Sequence, residues 1–261
     1  MTVLDPRIAR RRRQVAEHHA RRRVRRLVIL LGLGVVAGVV AWGLQSPFLS
    51  IRTIRVEGAE PARVRQLLAD AGFSKGRPMV TIQPSEVESV LEQDPWVDEA
   101  VATVRFPDML DVEVREREAV GWARTDDGWI LLSASGVPVE RREGPGAGDH
   151  GLISIAVSDA VLGERHPGEM VRGAAAFLAA FPARHRGGIT VREVNGELWA
   201  RLDGIEARLG SPRTMRAKAA ALRAVIAEVP PGSTIIVIAP SHPAVRLPPE
   251  QSANAASDRS Q

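Results

Sequence analysis

The sequence contains no cysteine and no tyrosine, and aromatic residues make up only 4% of its 261 positions. Without cysteine there is no disulfide, no thiol nucleophile and no thiolate metal site; the compartment stays open, because many proteins outside the cytoplasm lack cysteine too. With five tryptophans and five phenylalanines in all, any core must be built from Val, Leu, Ile and Ala. Trp96, Trp122, Trp129 and Trp199 then read as its largest pieces, with sugar stacking as the alternative use of such rings.

Motifs that carry chemistry are equally scarce. Gly144-Pro145-Gly146 lacks the following helix and lysine of a phosphate cradle. Of six histidines only His18 and His19 are neighbours, and nothing has a zinc spacing. Ser241-His242 sits between prolines with no nucleophile elbow and no placed acid. The paired carboxylates Asp126-Asp127 and Glu116/Glu118 fall at turns or strand ends, where surface solvation explains them better than general acid–base work. No metal, cofactor or small-molecule substrate is expected, and the chain reads as non-catalytic.

Charge is distributed unevenly. Residues 1–26 hold ten arginines against Asp5 and Glu17, a local +8 in a chain whose net charge is +4, so the rest carries −4. A basic tail on a mildly acidic body argues against a nucleic-acid groove, and no nucleic-acid partner is expected. Between the two lies Leu27–Leu44, eighteen apolar or glycine residues without a charge. As a helix it would be roughly 27 Å long, close to the ~30 Å hydrocarbon core of a bilayer.

This run reads as a single transmembrane helix surrounded by lipid. A core helix rarely lacks any polar face. A cleaved signal peptide is the other rival, but the run is longer than the usual ~7–15 residues and Trp42 fills the middle of the small-x-small site. Arg21, Arg22, Arg23, Arg25 and Arg26 precede the run and only Arg52 and Arg55 soon follow, so the N-terminus is expected to be cytoplasmic and residues 45–261 outside.

Beyond the connector 45–50, "IRTIRVEG" reads as a half-buried strand with Ile54 and Val56 on one face. "EPARVRQLLADAG" reads as a helix starting at Pro61, with Val64, Leu67, Leu68 and Ala71 as its stripe and Gly72 as its C-terminal cap. "GRPMVTIQ" is a connector anchored by Met79, Val80 and Ile82. A second helix carries Val87, Val90 and Leu91, opens on a Ser85/Glu88 capping box and ends at Asp94-Pro95. Two strands follow around a Pro107-Asp108 turn. Ala100, Ala102, Val104 and Phe106 share an inner face with Leu110, Val112 and Val114, and Asp111, Glu113 and Arg115 form the wet face.

The order strand–helix–helix–strand–strand, with the wording "PWV…A.V.R.FP..L.V.V.ER", resembles a POTRA domain, specifically that of the FtsQ/DivIB family of bacterial cell-division proteins. Members of that family carry a basic cytoplasmic tail and one transmembrane helix directly before the domain.

The second half is similar to the family's β domain. "GWARTDDGWILLSASGVPVE" has strand-like runs around Asp127-Gly128 and Ser135-Gly136, and a polar loop follows at 141–151. "GEMVRGAAAFLAAFPARH" forms a helix with Val171, Ala174, Phe177, Leu178 and Phe181 inward. Strands at 189–194, 198–202 and 205–209 are joined by Asn195-Gly196 and Asp203-Gly204, both two-residue hairpin signals. "LGSPRTMRAKAAALRAVIAEV" resembles the family's LGS-then-Lys helix, with Met215, Leu222, Val225, Ile226 and Val229 inward. "TIIVIAP" is the last strand expected, and 249–261 reads as a polar tail.

The expected fold class is therefore α+β: a single N-terminal transmembrane helix, a POTRA domain (β-α-α-β-β), then a mixed β domain with packed helices. The expected divisions are a tail (1–26), a span (27–44), a connector (45–50), the POTRA domain (51–118), the β domain (119–248) and a tail (249–261). The resemblance implies a scaffold of the division complex at the septum, binding FtsB/FtsL-type and other divisome partners at the far end of the β domain. A POTRA-type chaperone or assembly factor for exported proteins is the alternative, and a wall-hydrolase or sugar-binding module the third class.

On the residues alone, Ile235, Ile236, Val237, Ile238, Ala239 and Pro240 are either an open strand edge that accepts a partner strand, with the segment 240–245 after it as the other docking place, or a buried central strand. The sequence departs from the family here. Val237 or a neighbour stands where an acidic residue is common, and Pro240 ends main-chain donation.

Overall fold

The computed structural model describes residues 25–39, 42, 47–146, 148–165 and 168–247. Residues 25–39 are helical, and their side chains are exposed. Among the described residues no helix is long and apolar enough to cross a membrane. Leu27 begins the expected span inside this helix, whereas Val40, Ala41, Gly43 and Leu44 lie outside the described residues, as do residues 1–24, with Arg21, Arg22 and Arg23 among them, and the expected tail 249–261.

The first group of elements is β1 (Thr53–Glu57), α1 (Pro61–Asp70), α2 (Pro84–Glu92), β2 (Val97–Arg105) and β3 (Met109–Glu116), the order expected from the sequence. Its three strands form a sheet in the order β1-β3-β2. Proline opens α1 because its fixed φ suits the first helical position and its missing N–H has no partner to lose there. The helix stops as the sequence predicts. Gly72, at φ 85°, donates to Ala69 O, and Phe73 reaches back to Leu68 O at 2.7 Å, the paired bonds of a Schellman cap. Phe73 and Leu68 are both buried, which supplies the apolar contact such caps carry.

Three expectations fail here. α2 begins at Pro84, so Ser85 lies inside its first turn instead of capping it. Val80 is exposed while Met79 and Ile82 are buried, because Met79–Thr81 forms a 3-10 turn that points its middle residue outward. Phe106 is 60% exposed; it lies past the end of β2, where alternation no longer governs the side chain.

The second group builds a nine-stranded sheet in the order β12-β11-β10-β9-β8-β7-β4-β5-β6. Its strands are β4 (Ala119–Thr125), β5 (Gly128–Ser133), β6 (Pro138–Arg142), β7 (Gly151–Ser154), β8 (Thr190–Val194), β9 (Glu197–Leu202), β10 (Ile205–Gly210), β11 (Thr234–Ile236) and β12 (Ala244–Arg246). The hairpins β8–β9 and β9–β10 turn on Asn195-Gly196 and Asp203-Gly204. All four residues have positive φ, as a type I′ turn matched to strand twist requires.

Helices α3 (Glu169–Ala179) and α5 (Met215–Val225), with the short α4 (Ala183–Arg186) between them in sequence, contribute to one aliphatic core with the sheet. Val171, Ala174, Phe177 and Leu178 from α3 and Met215, Ala219 and Leu222 from α5 are buried there against Ile153, Val191, Ala200, Ala207 and Ile235. Trp122 is buried beside Leu131 and Val139 in a smaller cluster. Two strands were not expected: β7, at the end of the predicted loop, and β12, beyond the last predicted strand.

Candidate partner-binding edge

The free ends of the large sheet are β6 and β12, and their chemistry differs. β6 ends in Glu140, Arg141 and Arg142, and its first residue is already engaged, since Gly163 donates to Pro138 O at 2.9 Å. Arg141 also donates to Ala160 O. Charge and a covering loop are how natural sheets block an edge. β12 carries one charge, Arg246, and among the described residues no covering loop. Ala244, Val245 and Arg246 are all exposed, and among the described residues no strand pairs with its outer side.

The residues read from sequence as either an open edge or a buried strand lie one strand inward. β11 is parallel to β10 through Glu206↔Thr234, Ala207↔Ile235 and Arg208↔Ile236. On its other side it is antiparallel to β12 through Thr234↔Arg246, Ile235↔Val245 and Ile236↔Ala244. Ile235 and Ile236 therefore sit in a central strand, with Ile235 and Val237 fully buried. The strand stops at Ile236, so Ile238, Ala239 and Pro240 belong to a bend and turn that bring the chain back as β12. His242 donates to Ala239 O to close that turn. The turn end leaves Ile238, Val245 and Leu247 exposed, an apolar set beside an unpaired backbone.

Ser241 and His242 touch, Oγ to Nδ1 at 2.9 Å, but on this exposed turn. Asp127 reaches only Arg141, at 3.8 Å, and Glu118 pairs with Arg186. The charges on the wet face of the smaller sheet neutralise one another: Arg115 bridges Asp98 and Glu99 at 2.7 and 2.9 Å, Arg117 takes Asp98, and Arg105 takes Asp111. The Arg115 pairs are the solvent-facing ones and contribute little to stability, whereas Arg117 and Asp111 are largely covered. Among the described residues no group of three or more His, Asp or Glu side chains could hold a metal ion.

Two buried cations behind the sheet escape sequence reasoning. Lys218 on α5 donates to Ser211 O at 2.7 Å, so the LGS segment and its following lysine are in direct contact. Burial holds the Lys218 amine below its ordinary pKa, with Glu197 opposing the shift. Arg186 donates through Nε to Leu178 O and Phe181 O and through Nη1 to Ala119 O, tying the C-terminal end of α3 to β4. No local pattern distinguishes Arg186 from Arg184. The missed strand β12 carried one weak signal, a turn-forming Ser-His-Pro before "AVRL".

Residues 49–117 match the family model described as POTRA domain, FtsQ-type. The chain is 29% identical over 124 residues to the cell division protein FtsQ of Myxococcus fulvus, covering 44% of this chain and 43% of that one. It is 29% identical over 208 residues to the cell division protein FtsQ of Anaeromyxobacter sp., covering 73% and 70%. It is 23% identical over 100 residues to the cell division protein DivIB of Clostridium acetobutylicum, covering 38% and 40%. The matched stretch thus spans less than half the length of the Myxococcus and Clostridium relatives.

Proposed function

We propose, from its similarity to the FtsQ/DivIB proteins, that this chain is a non-catalytic, single-span scaffold of bacterial cell division. Leu27–Leu44 forms the span, with Arg21, Arg22, Arg23, Arg25 and Arg26 holding the N-terminus in the cytoplasm. Residues 51–118 act as the POTRA domain and 119–248 as the β domain, both outside the membrane and gathered at the septum. Their partners are FtsB/FtsL-type division proteins.

One observation carries this reading: among the described residues the outer side of β12 is an unpaired strand edge, with Arg246 its one charge, at the end of a nine-stranded sheet. A partner segment adds there as a tenth strand, its main chain pairing with β12 and its side chains meeting Val245, Leu247 and Ile238. Ile235, Ile236 and Val237 support the edge from behind, and Ala239 and Pro240 shape the turn that presents it.

The test is capture of an FtsB/FtsL-type partner by the full chain in detergent, comparing wild type with Val245→Asp, Val245→Pro and Leu247→Asp, since the Val245 N–H is the one that faces away from β11. Loss of capture by variants that keep the wild-type unfolding midpoint is expected. Undiminished capture by all three removes the edge from the mechanism. Depletion in cells is expected to give filaments; normal division would sink the wider role.

A further inference from the structure

Three segments are tied together at the start of β1. Ile51 donates to Arg77 O and Gly76 donates to Ile51 O, both at 2.9 Å, and Ser50 bridges Pro78. Arg52 and Thr53 both donate to Asp108 O, at 2.9 and 3.2 Å. The segment 47–52, the loop 75–78 and the turn 106–108 therefore form one continuous surface.

What this surface exposes is unusual for the chain. Phe48 is 74% exposed and Phe106 60%, whereas Phe73, Phe177 and Phe181 are buried. Two of the five phenylalanines thus stand in solvent on segments that these hydrogen bonds join, with Val80 exposed nearby in sequence to the loop. Cations accompany them. The Arg52 guanidinium lies over the Phe48 ring at 5.6 Å, Arg77 lies over Phe73 at 4.2 Å, and Lys75 is exposed between them in sequence. Among the described residues, no carboxylate forms an ion pair with Arg52, Lys75 or Arg77. The carboxylates of the turn region are Asp108 and Asp111, and Asp111 is taken by Arg105.

Chain length limits where this surface can be. Phe48 follows Leu44 by four positions, a reach of at most about 14 Å. If the apolar run ends at the hydrocarbon boundary, Phe48 cannot be far from the headgroup layer. Exposed aromatic rings flanked by Arg and Lys are the chemistry that binds a lipid interface. Two rings alone would bind weakly, but a tether this short keeps them at high effective concentration against the membrane.

We propose that this end of the POTRA domain rests on the outer face of the bilayer, with Phe48 and Phe106 among the headgroups and Arg52, Lys75 and Arg77 against anionic lipid phosphates. The proposal rests on the reading of Leu27–Leu44 as the span. It gives the domain a second, non-covalent hold on the membrane and so a preferred orientation for β1.

The absence of native cysteine makes a single introduced one uniquely labelable. The full chain is reconstituted in vesicles of mixed phosphatidylcholine and phosphatidylglycerol, brominated near the headgroup to report on 74 and 57 and, in separate vesicles, at mid-chain to report on 35 in the middle of the span. An environment-sensitive fluorophore is placed singly at Ser74→Cys, Val35→Cys or Glu57→Cys. Ser74 is exposed beside the cationic loop, and Glu57 ends β1 about 13 Å from its start. Quenching is expected at 74 and 35 but not at 57. Adding Phe48→Ala with Phe106→Ala is expected to cut quenching at 74 by about twofold or more, since interfacial binding scales with buried apolar area, and to leave 35 unchanged.

Quenching at 35 with none at 74 overturns the proposal while the span stands; the surface then faces something other than lipid. No quenching at 35 overturns the span and this proposal together. Undiminished quenching at 74 in the double variant also overturns it, because the rings would not be the seat.

Discussion

The amide of Val237 donates to the carbonyl oxygen of Arg208 at 2.9 Å, one residue past the last paired position of β11. The last apolar run is thus bound to β10 through its main chain even where the regular strand has ended, and Val237 is fully buried. Val237→Pro removes this donor from a covered position and leaves Arg208 O unmatched, so it should cost about 2–4 kcal/mol. Val245→Pro, on the exposed outer strand, should cost less than about 1 kcal/mol, because its N–H faces away from β11. Denaturant midpoints of the full chain in detergent would compare them. Equal midpoints would mean that β11 is no more buried in the sheet than β12.

Arg186 ties the end of α3 to β4 from a side chain only 4% exposed, while its partner Glu118 is 60% exposed. The carbonyls of Leu178, Phe181 and Ala119 therefore depend on the guanidinium more than the ion pair does. Arg186→Met should cost about 2–4 kcal/mol by leaving these acceptors unmet. Arg186→Lys should recover only part, because one ammonium cannot span carbonyls on two elements. Glu118→Gln should be nearly silent. A large loss for Glu118→Gln would show that the ion pair is the main term.

The parts of the fold that were legible in the sequence are those with local signals. The α3 and α5 stripes repeat at helical spacing, and Asn195-Gly196 and Asp203-Gly204 demand the positive φ that only a few turns use. β7 and β12, with four and three residues, are too short to show a period. They exist because neighbouring strands offer them partners, and a neighbour is not written in the segment itself. The same limit left the place of "TIIVIAP" in the sheet open: the run announces burial, but burial does not say which strand lies outermost. For Phe106, alternation named a face, yet the strand ended before it applied.

Lys218 makes a pH test with a definite sign. Its folded pKa is lowered, chiefly by burial, so the folded protein gives up this proton before the unfolded chain does. Between the lowered folded pKa and the unfolded value near 10.4 the unfolded state binds more protons, so stability from this group rises with pH across that window. Below the folded pKa the cost of burying the ammonium is present in full and constant. Relative to Lys218→Met, the wild type should therefore gain stability as pH rises from neutral toward 10. A difference that stays flat or falls over that range would show that the amine is not desolvated in the fold.

Gly58 and Gly72 separate two costs that are usually mixed. Their backbones are nearly the same, φ 84° and 85°, so a side chain at either position bears the same torsional strain. Their surroundings differ. A Cβ at Gly72 would meet only the flexible end of Arg77 at 3.8 Å, whereas at Gly58 it would sit 2.1 Å from the carbonyl oxygen of Val114. Gly72→Ala should thus cost about 1–2 kcal/mol, the left-handed penalty alone. Gly58→Ala adds a clash with backbone that cannot rotate away, so β1 must shift from β3, and a loss of about 4 kcal/mol or more is expected. The measurement is the difference between the two midpoints in the full chain. A Gly58→Ala variant no less stable than Gly72→Ala would mean that β1 and β3 do not approach this closely in solution.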